Sequence, residues 1–379
     1  MKCYSVFAGS ARRHQKESGA PSDRNQVTDL LRAFGWDSAF EAHYAACADA
    51  RDPSLQSEPG RVVSQHKGEY RVVTARGESA AEPAGRMYYE DAGMPAVGDW
   101  VVLRGPLIQS ILPRKSKFSR QAAGTKTEEQ VVAANVDTVF LVSGLDHDFN
   151  PRRIERFLTM AYESRAQPVL VLNKTDVAGE RLPEFVREAE RSAPGVTVIA
   201  TSAPSAEGLE AFAPYLLPGR TLALLGSSGV GKSTLINRLA GAEIFETRAV
   251  RESDSRGRHT TTSRQLVVLQ SGAIMLDTPG MRELQLWGGE EGIQQSFEDI
   301  ETKARECFFS DCTHGSEPGC AIAKALLDGT IPTARFENYL KLRREAHRQR
   351  LRVDQHAAQA EKRKLKQLFR GFNRGKHRW

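Results

Sequence analysis

The sequence predicts a multidomain chain with a small N-terminal β-barrel, a central α/β domain on a largely parallel sheet, and a C-terminal helical module around a metal site. Three observations predict it. Between Gly60 and about Ser119, short β-rich runs (Arg61–Val63, Tyr70–Ala75, Trp100–Leu103 and Ile108–Leu112) are separated by Gly, Pro and Asp turns, the rhythm of a closed all-β unit. Beyond Val131 the rhythm changes to apolar strand-length runs alternating with helical spacing. Three of the five cysteines then crowd between positions 307 and 320, next to a histidine.

Taken in order, residues 1–57 show little period and one apolar patch at Leu30, Leu31, Phe34 and Trp36, so they read as a partly disordered leader without chemistry. The barrel is expected over 58–125, the α/β domain over 126–288, the helical metal-binding domain over 289–350 and a basic tail over 351–379. In the α/β domain the strand candidates are Val136–Ser143, Val169–Leu172, Val196–Ala200, Leu222–Leu225, Gln265–Leu269 and Ala273–Leu276, and Ile154–Tyr162 has helical spacing. Apolar strands of this kind are buried on both faces, which puts functional loops beyond their carboxyl ends.

Charge is unevenly spread. From Lys341 to Trp379 there are 14 Lys/Arg against three Asp/Glu, so the tail carries +11 of a chain whose net charge is +6, and the rest is near −5. With Phe369, Phe372 and Trp379 interleaved, the tail suits phosphate neutralisation and base stacking, and equally suits a solvated helix followed by a disordered end. No apolar run reaches membrane-spanning length and no secretory signal pattern opens the chain, so a cytoplasmic protein without a membrane partner is expected, and a monomer. Cys3 and Cys47 read as spare thiols, because the odd cysteine count and the clustering of the other three fit a metal site in a reducing compartment better than disulfides.

The strong motifs all fall at strand ends. Gly226-Ser227-Ser228-Gly229-Val230-Gly231-Lys232-Ser233, followed by Thr234, is a complete P-loop between a strand and a helix. Its glycines let backbone N–H groups wrap phosphates, Lys232 reaches the β- and γ-phosphates, and Ser233 is the Mg²⁺ ligand. Asp277-Thr278-Pro279-Gly280 offers a carboxylate that holds Mg²⁺ through water and a Gly280 amide that senses the γ-phosphate. Asn173-Lys174-Thr175-Asp176 selects the base. Guanine presents two adjacent N–H donors that the Asp176 carboxylate can accept together, whereas adenine has no such pair. Asn173 either meets the base's acceptors or braces the loop, the Lys174 stem covers the base face, and Thr201-Ser202-Ala203 supplies a backbone N–H for the guanine oxygen.

In the C-terminal cluster, Cys307, Cys312, His314 and Cys320 supply three thiolates and an imidazole within fourteen residues, enough to close a tetrahedron around one structural Zn²⁺. Here the base motif precedes the phosphate motif, an order produced by circular permutation, which keeps strands and site while moving the termini. In that order, and with a barrel before and a Cys/His cluster after, the chain resembles the circularly permuted GTPases of the RsgA (YjeQ) family. The resemblance spans about residues 60–350 and rests on NKTD, TSA, GSSGVGKST, Arg258-His259-Thr260-Thr261-Thr262, DTPG and the cysteine cluster. It implies an OB-fold barrel, a permuted GTPase domain, a zinc domain, binding to the small ribosomal subunit and its rRNA late in maturation, and slow GTP hydrolysis stimulated by that subunit.

Catalysis is the open point of the sequence. Met281 follows Gly280 where many GTPases carry a water-orienting Gln, so another group must position water, and His259 is the nearest candidate. Switch I is expected between Gly241 and Ser263, with Thr261, or alternatively Thr260, as the second Mg²⁺ ligand by resemblance to other GTPases. A different class stays in view, a constitutive RNA-binding protein in which nucleotide is structural. An ATPase or kinase is disfavoured by NKTD with TSA.

Overall fold

A computed structural model describes residues 29–47, 49, 56–66, 68–89, 93–122, 129–243, 264–277, 289–315, 317–353 and 359. Thirteen strands are named in chain order among them. The barrel is built from β1 (Ser57–His66), β2 (Glu69–Thr74), β3 (Gly77–Pro83), β4 (Trp100–Arg104) and β5 (Leu107–Ile111), ordered β1-β2-β3-β5-β4 and closed by a β1–β4 pairing. This is the OB-type closed Greek-key barrel. Its interior is Val62, Val72, Val101, Leu103 and Ile108, all buried. Gly60 is required at its wall, because a Cβ there would lie 2.5 Å from Val72 Cγ1 and 2.7 Å from Leu103 Cδ1.

β3 was not legible in the sequence because its stretch, GESAAEP, is mostly polar and exposed, and backbone pairing with β2 makes it a strand. A separate hairpin of β6 (Lys117–Gln121) and β7 (Glu129–Ala134) follows the barrel. The expected leader also needs correction over its described part. Residues 29–33 are helical, and Asp37 caps the helix Ser38–Ala46 by accepting from Ala39 N at 3.0 Å and Phe40 N at 3.1 Å. Leu31, Trp36 and Phe40 pack on Trp100, Val102 and Leu112, with Trp36 and Trp100 edge to face at 4.7 Å. The apolar patch seen in the sequence is thus an outer layer of the barrel.

The α/β domain carries β8 (Thr138–Gly144), β9 (Gln167–Asn173), β10 (Val198–Thr201), β11 (Thr221–Gly226), β12 (Arg264–Val268) and β13 (Ile274–Asp277) in the order β10-β9-β8-β11-β13-β12. All neighbours are parallel except β12, which runs antiparallel to β13 and, through Ser64↔Gln265 and Gln65↔Arg264, to β1. One continuous sheet therefore runs from the α/β domain into the barrel. From β8 the chain winds outward to β9 and β10, and from β11 it winds the other way, so the sheet's topological switch point lies between β8 and β11.

The junction between barrel and sheet is held by Arg61, buried on β1. It donates to Thr221 Oγ1 at 2.8 Å, Gly98 O at 3.3 Å, Asn135 O at 3.4 Å and also Phe34 O. Desolvation lowers its pKa to about 10 against the attraction of Asp137 and Asp99.

C-terminal to the sheet come the helices Glu290–Ser296, Glu298–Ala304, Ala321–Leu327 and Thr333–Val353. Arg335 is their hub. It donates to Glu155 Oε1 at 2.8 Å, to both Asp299 oxygens at 2.8 and 2.9 Å, to Ser296 O at 2.9 Å and to Ser192 O at 3.3 Å. Glu155 also accepts from Asn338 at 2.5 Å, and burial raises its pKa against these partners. Replacing Arg335 by Met strands the buried Glu155 carboxylate. It should lower unfolding free energy by about 3–5 kcal/mol in urea titration, whereas cutting the exposed Arg71–Glu78 pair should cost at most about 1 kcal/mol.

Candidate functional site

The P-loop leaves the carboxyl end of β11, and NKTD leaves that of β9, two strands away. The fold joins them through one side chain. Asn173, buried at the end of β9, donates from Nδ2 to Val230 O of the P-loop at 2.7 Å and accepts from Ala203 N of the TSA loop at 3.1 Å. The bracing role is the one the structure displays. It also explains Gly231, whose φ is 92° and where a Cβ would sit 2.3 Å from Asn173 Nδ2.

The residues expected to read the base gather at the same place. Asp176 is exposed and accepts from Ser202 Oγ at 2.7 Å, which steadies one carboxylate oxygen. Lys174, with a left-handed φ of 69°, donates to Asp146 Oδ2 at 2.5 Å. Partial burial works against the Asp146 carboxylate, but Lys174 and the Asp148 N–H outweigh it and hold its pKa below the ordinary value. Thr175 opens a short helix, and Thr201 closes the TSA loop by donating to Glu207 O at 2.6 Å.

In the P-loop, Gly226 ends β11, Ser227, Ser228 and Gly229 form the turn, and Val230 is buried beneath it. Lys232 starts the helix Lys232–Ala240, which carries Ser233 and Thr234 in its first turn, and its ammonium donates to Gly226 O at 2.7 Å and to Ser227 O. The cation is held over the cradle, where phosphates would meet both it and the helix's N–H groups. Asp277 ends β13. Gly280, Met281, His259, Thr260 and Thr261 lie outside the described residues with the rest of 244–263 and 278–288, as do the aromatic residues of the basic tail.

Sequence reasoning missed three side chains. Arg238, at the end of the P-loop helix, donates to Ala203 O at 3.0 Å and Pro204 O at 2.9 Å. Asp146 anchors Lys174, and Arg153 donates to Ser227 Oγ at 2.5 Å. None belongs to a spacing motif. Only the proximity of Asp146 and Arg153 to the carboxyl end of β8 could have pointed to them.

The Cys/His cluster is brought together as the spacing predicts. Ligand atoms of Cys307, Cys312, His314 and Cys320 all lie within 4.8 Å of one another. A tetrahedral site with metal–sulfur bonds of about 2.3 Å and metal–nitrogen bonds of about 2.0 Å has S···S edges of about 3.8 Å and S···N edges of about 3.5 Å. Cys307 Sγ is 4.0 Å from Cys320 Sγ and 3.6 Å from His314 Nδ1, and Cys320 Sγ is 3.7 Å from that nitrogen. The four residues fit a tetrahedral divalent ion. Desolvation opposes ionisation of Cys307, but the N–H groups of Ile322 and Ala321 outweigh it and lower its pKa, whereas Cys312, against the lowering N–H of His314, is pushed up to about 11 by desolvation and by its neighbours Cys320 and Cys307.

Comparison with known proteins agrees with this geometry. The family model described as RsgA GTPase matches residues 111–287. The small ribosomal subunit biogenesis GTPase RsgA of Opitutus terrae is 45% identical, over 90% of this chain and 96% of that protein. The chain belongs to the RsgA GTPase family. Among solved structures, YjeQ from Thermotoga maritima aligns with a TM-score of 0.58 and 30% identity, over 76% of this chain and 97% of that one. YloQ, described as a circularly permuted GTPase, aligns with a TM-score of 0.55 over 78% of this chain and 98% of that one, and at 24% identity it bears on the fold alone. This member of the RsgA family is a P-loop GTPase in which NKTD precedes the P-loop along the chain.

Metal binding is checked by elemental analysis of purified protein. One divalent ion per chain is expected, none after Cys320→Ser, together with a lower melting temperature for the C-terminal helices.

Proposed function

We propose that this chain binds GTP at the β8/β11 switch point, hydrolyses it to GDP and phosphate, and uses the exchange to change its affinity for the small ribosomal subunit and its rRNA during late maturation. The observation that carries the reading is the Asn173 brace, which seats the base-selecting loop, the phosphate cradle and the TSA loop against one another. The name of the Opitutus terrae relative supports the subunit as partner, and such a partner gives the chain a cytoplasmic workplace.

In this reading Asp176 accepts the two adjacent N–H donors of guanine, Ala203 N–H meets the base oxygen from its side, and Lys174 covers the ring. Phosphates displace the loop carbonyls from Lys232 and take the N–H groups of Gly229 through Thr234. Ser233, Thr261 (or Thr260) and, through water, Asp277 are the groups suited to hold Mg²⁺. That ion would neutralise charge on the phosphates. His259 positions the attacking water, because Met281 has no hydrogen-bonding group, and the Gly280 N–H reports the γ-phosphate. Cys307, Cys312, His314 and Cys320 hold one structural Zn²⁺, since a closed set of four protein ligands leaves no position for substrate.

Two substitutions test the nucleotide chemistry. Asp176→Asn replaces a double acceptor by a group that also donates. It should weaken GTP binding by at least about a hundredfold in a competition assay against ATP, with the fold unchanged by circular dichroism. An unchanged purine preference would end the guanine assignment. His259→Ala should lower subunit-stimulated turnover by about a hundredfold or more while leaving nucleotide affinity near its original value. Retention of the full stimulated rate would remove His259 from catalysis.

The partner is tested with purified small subunits. Their affinity for the chain should differ between a non-hydrolysable GTP analogue and GDP by about fivefold or more in co-sedimentation. Equal affinity in both states would favour the constitutive RNA-binding alternative.

A further inference from the structure

The helix Pro151–Ser164 follows β8, so its first turns stand at the switch point of the sheet, opposite the P-loop that follows β11. Asn150 caps it by accepting from Arg153 N at 3.3 Å, and Pro151 stands at its first position. Its opening two turns carry an unusual distribution of contacts.

Arg152, Glu155 and Arg156 are spaced i, i+3 and i+4, which places them on one face. All three meet the C-terminal helix Thr333–Val353. Arg152 pairs with Glu337 at 2.8 Å, Glu155 accepts from Arg335 at 2.8 Å and Asn338 at 2.5 Å, and Arg156 holds Glu345 by two bonds of 2.6 and 2.7 Å. Asn338 also donates to Arg152 O at 3.2 Å.

Arg153 turns away from that face by about a hundred degrees. Its guanidinium donates to Ser227 Oγ in the P-loop at 2.5 Å and is paired with Asp148 in the loop behind it. One rigid helical turn thus grips the phosphate cradle on one side and the C-terminal helix on the other. Nothing between the two grips is a flexible loop. Arg335 further ties the same point to Asp299 and Ser296, on the two helices that begin after the DTPG segment.

We propose that Arg153 is a positioning residue for the phosphate loop, acting through Ser227, and that the C-terminal domain acts on nucleotide affinity through the turn that carries it. The proposal rests on the GTPase reading and adds a route to it. A shift of the C-terminal helix, such as docking on a large partner would impose, moves Arg152, Glu155 and Arg156 together and with them Arg153. The cradle then changes shape without any contact between partner and nucleotide. By linkage the effect is reciprocal, so phosphate occupancy biases the C-terminal helix by the same factor.

The test is a double-mutant cycle on the full-length protein, read as the dissociation constant of a fluorescent guanosine diphosphate. Arg153→Ala should weaken binding by about tenfold, Ser227→Ala should do the same, and the two combined should be no worse than either alone. Arg153→Lys should recover part of the loss, since an ammonium retains a donor for the Ser227 hydroxyl. Glu345→Ala, remote from the nucleotide, should weaken binding by about fivefold in the original chain and have no further effect beside Arg153→Ala. Circular dichroism and metal content confirm that each variant is folded, and Ser227→Ala and Arg153→Lys carry the test if Arg153→Ala does not fold. Additive losses for Arg153 and Ser227, or a Glu345 effect of equal size in both backgrounds, would overturn the proposal while leaving GTP binding intact. Failure of the unaltered chain to bind guanine nucleotide would instead sink the underlying reading and this proposal together.

Discussion

A single buried carboxamide holds the nucleotide site in register. Asn173 uses its amide nitrogen on the P-loop carbonyl of Val230 and its oxygen on the N–H of Ala203, so three loops from three parallel strands share one rigid contact. The arrangement matters because permutation has put the NKTD loop 57 positions before the P-loop it is braced against. The parallel pairing of β8 with β11 brings the halves together, and Asn173 then fixes the fine spacing. A glycine at position 231 follows as a steric consequence.

Around that site the flanking domains are wired into the sheet. β12 continues into β1 of the barrel by antiparallel pairing, and Arg61 reaches from β1 to Thr221, the first residue of the strand that delivers the P-loop. On the other side, Arg335 and its partners join the C-terminal helix to the helix behind β8. Both connections bury charge. The second is a buried ion pair, Arg335 with Glu155, which contributes little net stability against a hydrophobic replacement but tolerates no loss of one partner, and this makes it a device for geometry. In the proposed switch, geometry between domains is what nucleotide state must alter.

The metal cluster obeys the same logic at smaller scale. Its four residues come from a loop of turns and the start of the helix Ala321–Leu327, whose Ile322 and Ala325 are buried in the main hydrophobic core. A metal ion held by these four donors would add a cross-link to that packing.

Much of this was readable from residues alone. NKTD, TSA, the P-loop and the cysteine spacing are local signals, because the chemistry of a base edge, a phosphate or a metal ion demands particular groups at short intervals. The strands that carry them are legible too, as Val139–Val142 and Val169–Leu172 are continuous apolar runs buried on both faces. The barrel strand Gly77–Pro83 and the packed helix Ser38–Ala46 were not, since a polar edge stretch acquires its structure from backbone pairing and a short amphipathic patch from the surface it meets. The choice between base contact and brace for Asn173, and the roles of Arg153, Arg238 and Arg335, depend on groups 30 to 180 positions away. Sequence thus determined what each loop can bind, because ligand chemistry is local. Only the tertiary structure decided how the loops are held and to what they are coupled, because those contacts are made across the fold by side chains with no fixed spacing along the chain.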